Sequence, residues 1–442
     1  MASGAALSQR RDEAQVVVVG GGPGGSTVAA LLARRGWRVT LLEKARHPRF
    51  HIGESLLPMN MPIFERLGVL EQVQAIGMHK LGADFPAPND AGYAVFRFAR
   101  AINPGTGYAV QVRRAQLDQL LFANARAAGA DVREGVEVLG VDFGARDVTV
   151  RTRAADGTAS ELRADYLVDA SGRHTLLGTA LRLKRRHARH QSAALFAHFA
   201  GVARRGGADA GNISIYRFAY GWVWMIPLPG DVMSVGAVCY PEYLRQRPAD
   251  NAAFLLATLA GIPGARERMH GARMVGNLHA TGNYSYACSR MSGPRWLMVG
   301  DAYAFLDPIF SSGVYLAMTG AEMAAAVVEG SLLEPRREAA LQRAYARRVR
   351  RGLGRLSWFI YRFTSPAMQR LFAHPRNVLQ VERAMVSMLA GDVFDGPGVW
   401  WRLQVFKLIY YATYLHMWGR SRRNSAARRR QAAAVFEGES LL

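Results

Sequence analysis

The N-terminal part of the chain carries a pattern of apolar and polar positions that predicts a strand, a helix and a second strand. The run Val16–Val19 is continuously apolar, as expected of a strand that is buried on both faces. A helical pattern begins directly after a glycine-rich turn, and a second apolar run ends at Glu43. This order predicts a βαβ unit, in which the two strands lie parallel in one sheet.

The rest of the chain divides into a strand-rich part and a helical part. Residues 190–285 alternate short apolar segments with turns, whereas the pattern is helical from about residue 312 onward. The predicted fold class is α/β. It comprises a Rossmann-like domain over residues 12–330, an interleaved substrate-binding β-sheet over about residues 76–110 and 181–285, and a helical, basic region over residues 331–442.

The segment GWVWMIP, residues 221–227, places two tryptophans two positions apart. In an extended strand alternate side chains share a face, so Trp222, Trp224 and Ile226 would line one surface. Val223 and Met225 would line the opposite surface. By itself this pattern is typical of a core strand, because aromatic residues favour strands and are usually buried.

Composition limits the chemistry that the chain can carry. The only cysteines are Cys239 and Cys288, which support neither a disulfide framework nor a cysteine-built metal site, so we expect no bound metal. The N-terminus lacks the apolar run of a secretory signal, and no stretch of about 20 uncharged apolar residues occurs. We therefore expect a cytoplasmic protein that does not span a membrane.

The chain is strongly basic, and its positive charge is concentrated near the C-terminus. Lys and Arg total 56 against 34 Asp and Glu, which gives a net charge of +22. Residues 401–430 contain no acidic side chain but eight basic ones: Arg402, Lys407, Arg420, Arg422, Arg423, Arg428, Arg429 and Arg430. No nucleic-acid-binding motif accompanies this charge. An acidic protein, an anionic membrane face or plain solvated surface remain as explanations.

The glycine-rich turn has the spacing of a dinucleotide-binding site. Gly20, Gly22 and Gly25 form G-x-G-x-x-G, and Glu43 closes the second strand 18 residues after Gly25. The glycines permit a tight turn, a close approach to a pyrophosphate and helix packing, while an acidic side chain accepts a hydrogen bond from a ribose hydroxyl. The unit therefore predicts a bound dinucleotide.

Five motifs occur in the order seen in the FAD-dependent monooxygenase-like flavoproteins. They are the glycine motif, HIGESLLP at 51–58, VRRAQLD at 112–118, DASG at 169–172 and GDAYAFLDP at 300–308. The resemblance implies a glutathione-reductase-like or p-hydroxybenzoate-hydroxylase-like fold with FAD as cofactor. It also implies that Glu43 holds the adenosine ribose, Arg114 faces the cofactor and Asp301 contacts the ribityl or phosphate region.

Within that group, three features resemble the flavin-dependent halogenases. They are W-x-W-x-I-P at Trp222, Trp224, Ile226 and Pro227, F-x-x-P-x-x-S-x-G at Phe305, Pro308, Ser311 and Gly313, and a lysine after the G-E-S-x-x-P element, Lys80. The resemblance implies that reduced FAD, oxygen and chloride or bromide yield hypohalous acid, with the halide held at Ser312 and Gly313. Lys80 would then bind the oxidant or form a haloamine, and the two indoles would separate flavin from substrate.

One departure from the tryptophan halogenases bears on the substrate. Where those enzymes carry a glutamate before the two small residues, this sequence has Phe310. The chain is thus more similar to the halogenases of secondary metabolism that act on phenols and pyrroles, some of them tethered to an acyl carrier protein. Carrier proteins are acidic, so the basic C-terminal region offers a partner surface.

Two further partners are expected. The sequence shows no second nucleotide-binding glycine motif, which suggests that a separate NAD(P)H-dependent flavin reductase supplies reduced FAD. The aromatic segment VWWRLQVFKLIYYATYLHMWGRSRRN, residues 399–424, either packs over the substrate cleft or lies on the inner face of a membrane.

Two alternatives to a halogenase stay open at this point. The same fold serves aromatic hydroxylases and geranylgeranyl-reductase-like enzymes, the latter with a W-x-F-P-like element in this region. A non-catalytic flavoprotein that docks partners through its basic end is the other alternative.

Overall fold

A computed structural model of the chain describes residues 14–86, 92–103, 105, 107–187, 192–247, 250–282, 285–373, 378–394 and 396–418. The arginine cluster that follows Gly419 lies outside the described residues. The described helices are α1 (Pro23–Arg34), α2 (Met61–Arg66), α3 (Leu70–Ala75), α4 (Arg114–Ala127), α5 (Leu176–Ala180), α6 (Pro241–Leu244), α7 (Asn251–Ala260), α8 (Pro263–Arg268), α9 (Gly313–Leu333), α10 (Glu338–Ile360), α11 (Pro366–Ala373), α12 (Val381–Leu389) and α13 (Pro397–His416).

The described strands number from β1 to β21 in chain order. They are β1 (Val16–Val19), β2 (Val39–Glu43), β3 (Gly77–Lys80), β4 (Gly82–Pro86), β5 (Tyr93–Arg97), β6 (Ala109–Val112), β7 (Asp131–Glu134), β8 (Val136–Phe143), β9 (Val148–Ala154), β10 (Ala159–Ala164), β11 (Tyr166–Asp169), β12 (Lys184–Arg186), β13 (Ala193–Ala200), β14 (Ile213–Phe218), β15 (Gly221–Leu228), β16 (Val232–Cys239), β17 (Arg273–Thr281), β18 (Tyr286–Cys288), β19 (Ser292–Gly293), β20 (Trp296–Met298) and β21 (Ala304–Phe305).

The first sheet is mostly parallel and has the order β19-β20-β11-β1-β2-β7. Strand β1 lies between β11 and β2 in parallel register, and its four valines are all buried, as predicted from the apolar run. Helix α1 packs against α4 and the long helix α9. Since β1, β2, β11 and β20 run in the same direction, the loops that follow them meet at one edge of the sheet.

The second sheet has the order β17-β13-β16-β15-β14-β4-β5 and is antiparallel except for the β14–β4 pair. Strand β15 carries the GWVWMIP segment between β14 and β16. Trp222, Trp224 and Ile226 belong to the main core, which includes the first sheet, whereas Val223 and Met225 belong to a separate cluster that contains residues of α7 and α8. The two-faced strand and the α/β fold class are therefore confirmed.

The C-terminal part is helical from α9 onward. Within the described residues, α9 is the one helix long and apolar enough to cross a membrane, and its most apolar window is 44% buried in the protein. Two acidic side chains of α9, Glu322 and Glu329, form ion pairs with Arg66 and Arg35. Helix α9 is therefore packed against the N-terminal half of the chain.

Candidate active site

Two adjoining cavities form one elongated groove at the loop edge of the first sheet. The outer cavity has a volume of about 330 Å³ and the inner one about 110 Å³. Six residues line both cavities: His51, Arg114, Arg173, Asp301, Gly313 and Val314. The groove is long enough in shape for an extended ligand with one end at the glycine turn and the other end near the two tryptophans.

The outer cavity begins at the glycine turn. Gly20 has a φ of +102°, and a side chain at Gly25 would place its Cβ 1.8 Å from the carbonyl oxygen of Gly20. At Gly22 the nearest atom to an added Cβ is 3.9 Å away, so this position opens into the groove. Helix α1 starts here without a side-chain cap, and its first amides are available to a phosphate. The backbone thus fits the pyrophosphate of FAD.

Glu43 lines the outer cavity and is held in place by its neighbours. One carboxylate oxygen accepts hydrogen bonds from the amide of Gly21 at 2.7 Å and from Arg49 at 3.3 Å, and the other accepts from the amide of Ala45 at 3.0 Å. Arg49 also pairs with Asp118 at 2.9 Å. The carboxylate is therefore oriented before any ligand arrives, and its role toward a ribose stays a prediction.

Arg114 lies at the junction of the two cavities. Its guanidinium makes a two-pronged contact with Asp118, at 2.8 and 3.1 Å, and donates to the carbonyl oxygen of Ile52 at 2.8 Å. Across the groove, burial raises the pKa of Asp301 to about 6, although the charges of Arg173 and Arg114 oppose the rise. The structure thus brings the predicted residues Arg114 and Asp301 to the same part of the groove.

The inner cavity is walled by the predicted indoles. Trp222, Trp224 and Ile226 all line it, and both tryptophans are 4% exposed. The indole N–H of Trp224 donates to the hydroxyl of Ser234 at 3.1 Å. The indole N–H of Trp222 is buried without a hydrogen-bond partner among the described residues. These contacts hold Trp224 in one orientation and leave a donor on Trp222.

The opposite side of the inner cavity is the turn that leads into α9. Ser311 adopts a left-handed conformation with a φ of +55° and lines the cavity together with Gly313. Ser312 is buried and is not one of the described lining residues, so of the two residues predicted to hold halide only Gly313 lines the cavity. Phe310, which occupies the position of the absent glutamate, is buried against the ring of Phe363.

Lys80 lies beside the inner cavity at the end of β3 and is 1% exposed. Its ammonium group donates to the hydroxyl of Ser55 at 2.9 Å and to the carbonyl oxygen of Leu56 at 3.0 Å. Burial lowers the pKa of Lys80 to about 7. Because Ser55 lines the cavity, its hydroxyl connects the lysine to that space.

Phe98 lies on another side of this lysine, and the residue after α12 packs against Phe98. The ring of Phe98 lies 5.2 Å from the Lys80 nitrogen and packs with Ala390, whose carbonyl oxygen accepts from the amide of Met59 at 3.1 Å. Helix α13 contacts α11 and α12. The segment that follows α12 therefore approaches Lys80 through the ring of Phe98.

The HIGESLLP loop holds residues that motif reasoning missed. Ser55 and Leu56 bind Lys80, and the buried carboxylate of Glu54 contacts the imidazole of His198 at 2.7 Å. As a family motif, this loop indicates the fold but assigns no role to Glu54 or Ser55. A polar Glu-Ser pair directly before an apolar run was the available signal, whereas nothing in the sequence marked His198.

Comparison with known proteins identifies the relatives of this chain. The FAD binding domain family matches residues 13–352. A tryptophan 2-halogenase from Chondromyces crocatus is 34% identical over 68% of this chain and 58% of its own length. The chain spans about three fifths to two thirds of the curated relatives that it matches.

Solved structures extend the likeness over most of the chain. The myxobacterial chondrochloren halogenase CndH is 31% identical with a TM-score of 0.76, covering 92% of this chain and 97% of that one. A flavoprotein/dehydrogenase from Cytophaga hutchinsonii is 25% identical with a TM-score of 0.83, covering 92% of this chain and all of that one.

Proposed function

Because the chain belongs to the FAD binding domain family and, within it, to the flavin-dependent halogenases, we propose that it halogenates an electron-rich aromatic compound. The reaction would consume reduced FAD, oxygen and chloride or bromide. The observation that carries the proposal is the position of Lys80, a buried amine that reaches an indole-walled cavity through the hydroxyl of Ser55. A hydroxylase has no evident need for such a lysine.

The groove provides the contacts that FAD requires. The turn Gly20–Gly25 would hold the pyrophosphate, Glu43 the adenosine ribose, and Arg114 and Asp301 the middle of the cofactor. The amide of Gly313 at the start of α9 would hold halide or the flavin edge. When bound, reduced FAD supplies the electrons that turn oxygen and halide into hypohalous acid.

Lys80 would receive the oxidant on the far side of Ser55. A lysine with a pKa near 7 is partly neutral at neutral pH, so its lone pair can accept a hydrogen bond from hypohalous acid or form a haloamine. The Ser55 hydroxyl and the Leu56 carbonyl fix the direction of the amine. The walls of Trp222 and Trp224 would limit direct contact between flavin and substrate.

The test replaces Lys80 by methionine, which preserves the length of the side chain. With supplied reduced FAD and halide, we expect Lys80→Met to form hypohalous acid but to lose at least 90% of halogenated product, since general acid–base and positioning roles contribute about 100-fold or more. Lys184→Met is the matched control and should keep its activity. Halogenated product at the rate of the unmodified protein in Lys80→Met would contradict the proposed role.

The substrate is proposed to be a phenol or a pyrrole. A buried Phe310 beside Phe363 gives no carboxylate to activate an indole, whereas phenols and pyrroles donate electron density themselves. Mass spectrometry over a panel of free and carrier-bound phenols, pyrroles and indoles, with chloride and with bromide, tests this choice. Isotope doublets confined to indole products would overturn it.

The likeness to a flavoprotein/dehydrogenase favours one competing function, an oxidoreductase without halogenation. Oxygenated or reduced products that form equally well without halide would support it. We also propose that reduced FAD comes from a separate flavin reductase. In that case NAD(P)H alone should not reduce FAD on this protein, and addition of a reductase should start turnover.

The last described helix, α13, is proposed to contact an anionic membrane face. Its buried stripe is Val399, Leu403, Phe406 and Tyr410, and its opposite stripe, continued by Trp418 just after the helix, is exposed: Trp401, Leu408, Tyr411 and Leu415. Arg362 and Lys407 flank Trp358 beside this stripe, and neither has an acidic partner among the described residues. Exposed tryptophan, tyrosine and leucine next to uncompensated cations match the interface of an anionic bilayer.

Vesicle sedimentation of the full chain tests this contact. We expect binding to anionic but not to neutral vesicles, and loss of binding in the triple variant Trp401→Ser, Leu408→Ser, Leu415→Ser. Leu139→Ser with Leu256→Ser replaces exposed leucines elsewhere and should bind normally. Equal vesicle binding by the triple variant would overturn the proposal. So would absence of vesicle binding by the unmodified protein together with self-association, or binding of an acidic carrier protein, that the triple variant loses.

A further inference from the structure

Glu54 is a buried carboxylate with one oxygen left without a partner. It is 1% exposed and lines the inner cavity. Its Oε1 contacts Nε2 of His198 at 2.7 Å, while Oε2 is buried and accepts no hydrogen bond from any described residue. A buried carboxylate oxygen without a hydrogen-bond partner destabilises the folded protein unless it binds a ligand or a proton. The free oxygen belongs to a residue that faces the cavity.

His198 connects this carboxylate to the outside of the protein. Its side chain is 22% exposed, and the ring of Phe50, itself 44% exposed, packs at 5.9 Å from the imidazole. His279 stacks on the same phenyl ring at 3.9 Å. Burial and the neighbouring His198 lower the pKa of His279, although Glu54 opposes the change. The two imidazoles and the carboxylate thus interact electrostatically between cavity and solvent.

The other titratable groups around the cavity are less suited to carrying protons. Desolvation and the charge of Arg114 lower the pKa of His51 to about 4, so this imidazole stays neutral near pH 7. Arg114 and Arg173 do not release protons. The charges of Arg173 and Arg114 oppose protonation of Asp301, which is assigned to the cofactor. Lys80 contacts the cavity through the hydroxyl of Ser55 and is assigned to the oxidant.

The proposed chemistry requires a proton inside this cavity. Written in full, FADH2 + O2 + X⁻ + H⁺ gives FAD + HOX + H2O, so each turnover takes up one proton from outside. Ile213, Trp222, Trp224 and Ile226 form the apolar part of the cavity lining, and Glu54 adds a titratable carboxylate to that lining. A fixed donor with a path to solvent would supply that proton at the site of oxidant formation.

We propose that Glu54 and His198 form a proton relay into the inner cavity. His198 gains a proton from solvent at Nδ1 and loses one from Nε2, and that proton forms an O–H bond on Oε1 of Glu54. Rotation of the carboxyl group then turns this O–H toward the cavity that Glu54 lines, where the same O–H bond breaks as the proton is released and the carboxylate is restored. His198 returns to the tautomer protonated at Nε2 by proton exchange with solvent. The relay rests on the proposed halogenase function, because another reaction would have a different proton balance.

The first test needs neither FAD nor turnover. In protein with ¹⁵N-labelled histidine, the Nε2 resonance of His198 is compared by nuclear magnetic resonance with and without Glu54→Gln. Loss of the carboxylate that contacts Nε2 at 2.7 Å should shift this resonance, because the charge-assisted hydrogen bond is replaced by a weaker neutral one. An unchanged Nε2 resonance would overturn the relay whatever the enzyme does. Glu242→Gln, an exposed site, is the matched control.

The second test measures hypohalous acid per reduced FAD consumed, with a small-molecule halogen acceptor in place of substrate. Glu54→Gln and His198→Gln should lower this yield by about tenfold or more while FAD binding is unchanged, and added imidazole should restore part of it in His198→Gln. His270→Gln, an exposed histidine, should behave like the unmodified protein. Normal yields in both relay variants would overturn the relay. Absence of hypohalous acid from the unmodified protein would instead overturn the proposed function.

Discussion

Replacement of Lys80 by methionine should stabilise the protein near neutral pH and destabilise it at high pH. A pKa lowered from 10.5 to about 7 corresponds to about 5 kcal/mol of unfavourable free energy for holding the buried ammonium ion. Methionine removes that penalty. It also leaves the Ser55 hydroxyl and the Leu56 carbonyl without their donor, which costs about 1 kcal/mol each. At about pH 6 the net gain should therefore be about 3 kcal/mol.

The pH determines which of the two proteins is the more stable. Between about pH 7 and 10.5 the unfolded chain keeps a proton on Lys80 that the folded chain has lost, so the stability of the unmodified protein rises with pH in this window. Below about pH 7 both states are protonated and the full penalty applies. The stability of the methionine variant lacks this contribution. At about pH 9.5 the unmodified protein should be the more stable of the two by about 0.5 kcal/mol.

Urea unfolding of both proteins, followed by tryptophan fluorescence at several pH values, measures the difference. Other titrating groups are common to both proteins and cancel. Lys44→Met replaces an exposed lysine and should show no such crossing. A difference between unmodified protein and Lys80→Met that stays constant from pH 6 to 9.5 would refute the claim that the buried amine loses its proton.

Three further predictions concern the groove. Gly25→Ala should abolish FAD binding, measured by quenching of flavin fluorescence, because the added Cβ would lie 1.8 Å from the carbonyl oxygen of Gly20; retained affinity would contradict the close approach. Asp118→Asn should destabilise the protein by about 3 kcal/mol at pH 7 in urea unfolding, since it leaves the buried Arg114 without its carboxylate. Burial alone would raise the pKa of Asp118, but the charge and hydrogen bonds of Arg114 outweigh it and hold the pKa below its usual value. That stabilisation is complete above about pH 4 and is lost as the pH falls through the lowered pKa, so the two proteins should converge in acid. Trp224→Phe should lower the free energy of unfolding by about 1 kcal/mol, because the hydrogen bond to Ser234 is lost. The same variant should raise the fraction of hypohalous acid that is captured by an external acceptor. An unchanged fraction would argue against an indole wall.

Local patterns in the sequence determined much of the fold. The four valines of β1, the glycine turn and the acidic end of β2 follow from periodicity and turn chemistry, which depend on residues close together in the chain. The alternation along Gly221–Leu228 likewise predicted which side chains share a face, because a strand imposes it regardless of its surroundings. The halogenase relationship, too, was recognised from short motifs and then confirmed by comparison.

Only the tertiary structure decided how those motifs meet. Lys80 and Ser55 are 25 residues apart, and Glu54 and His198 are 144 apart, so no periodicity relates them. Ser311 rather than Ser312 lines the cavity because the chain makes a left-handed turn at Ser311. The burial that lowers the pKa of Lys80 depends on segments packed from several parts of the chain. A residue's type and local pattern state what chemistry it can perform. Its partners, desolvation and access to a cavity arise only when distant segments pack together.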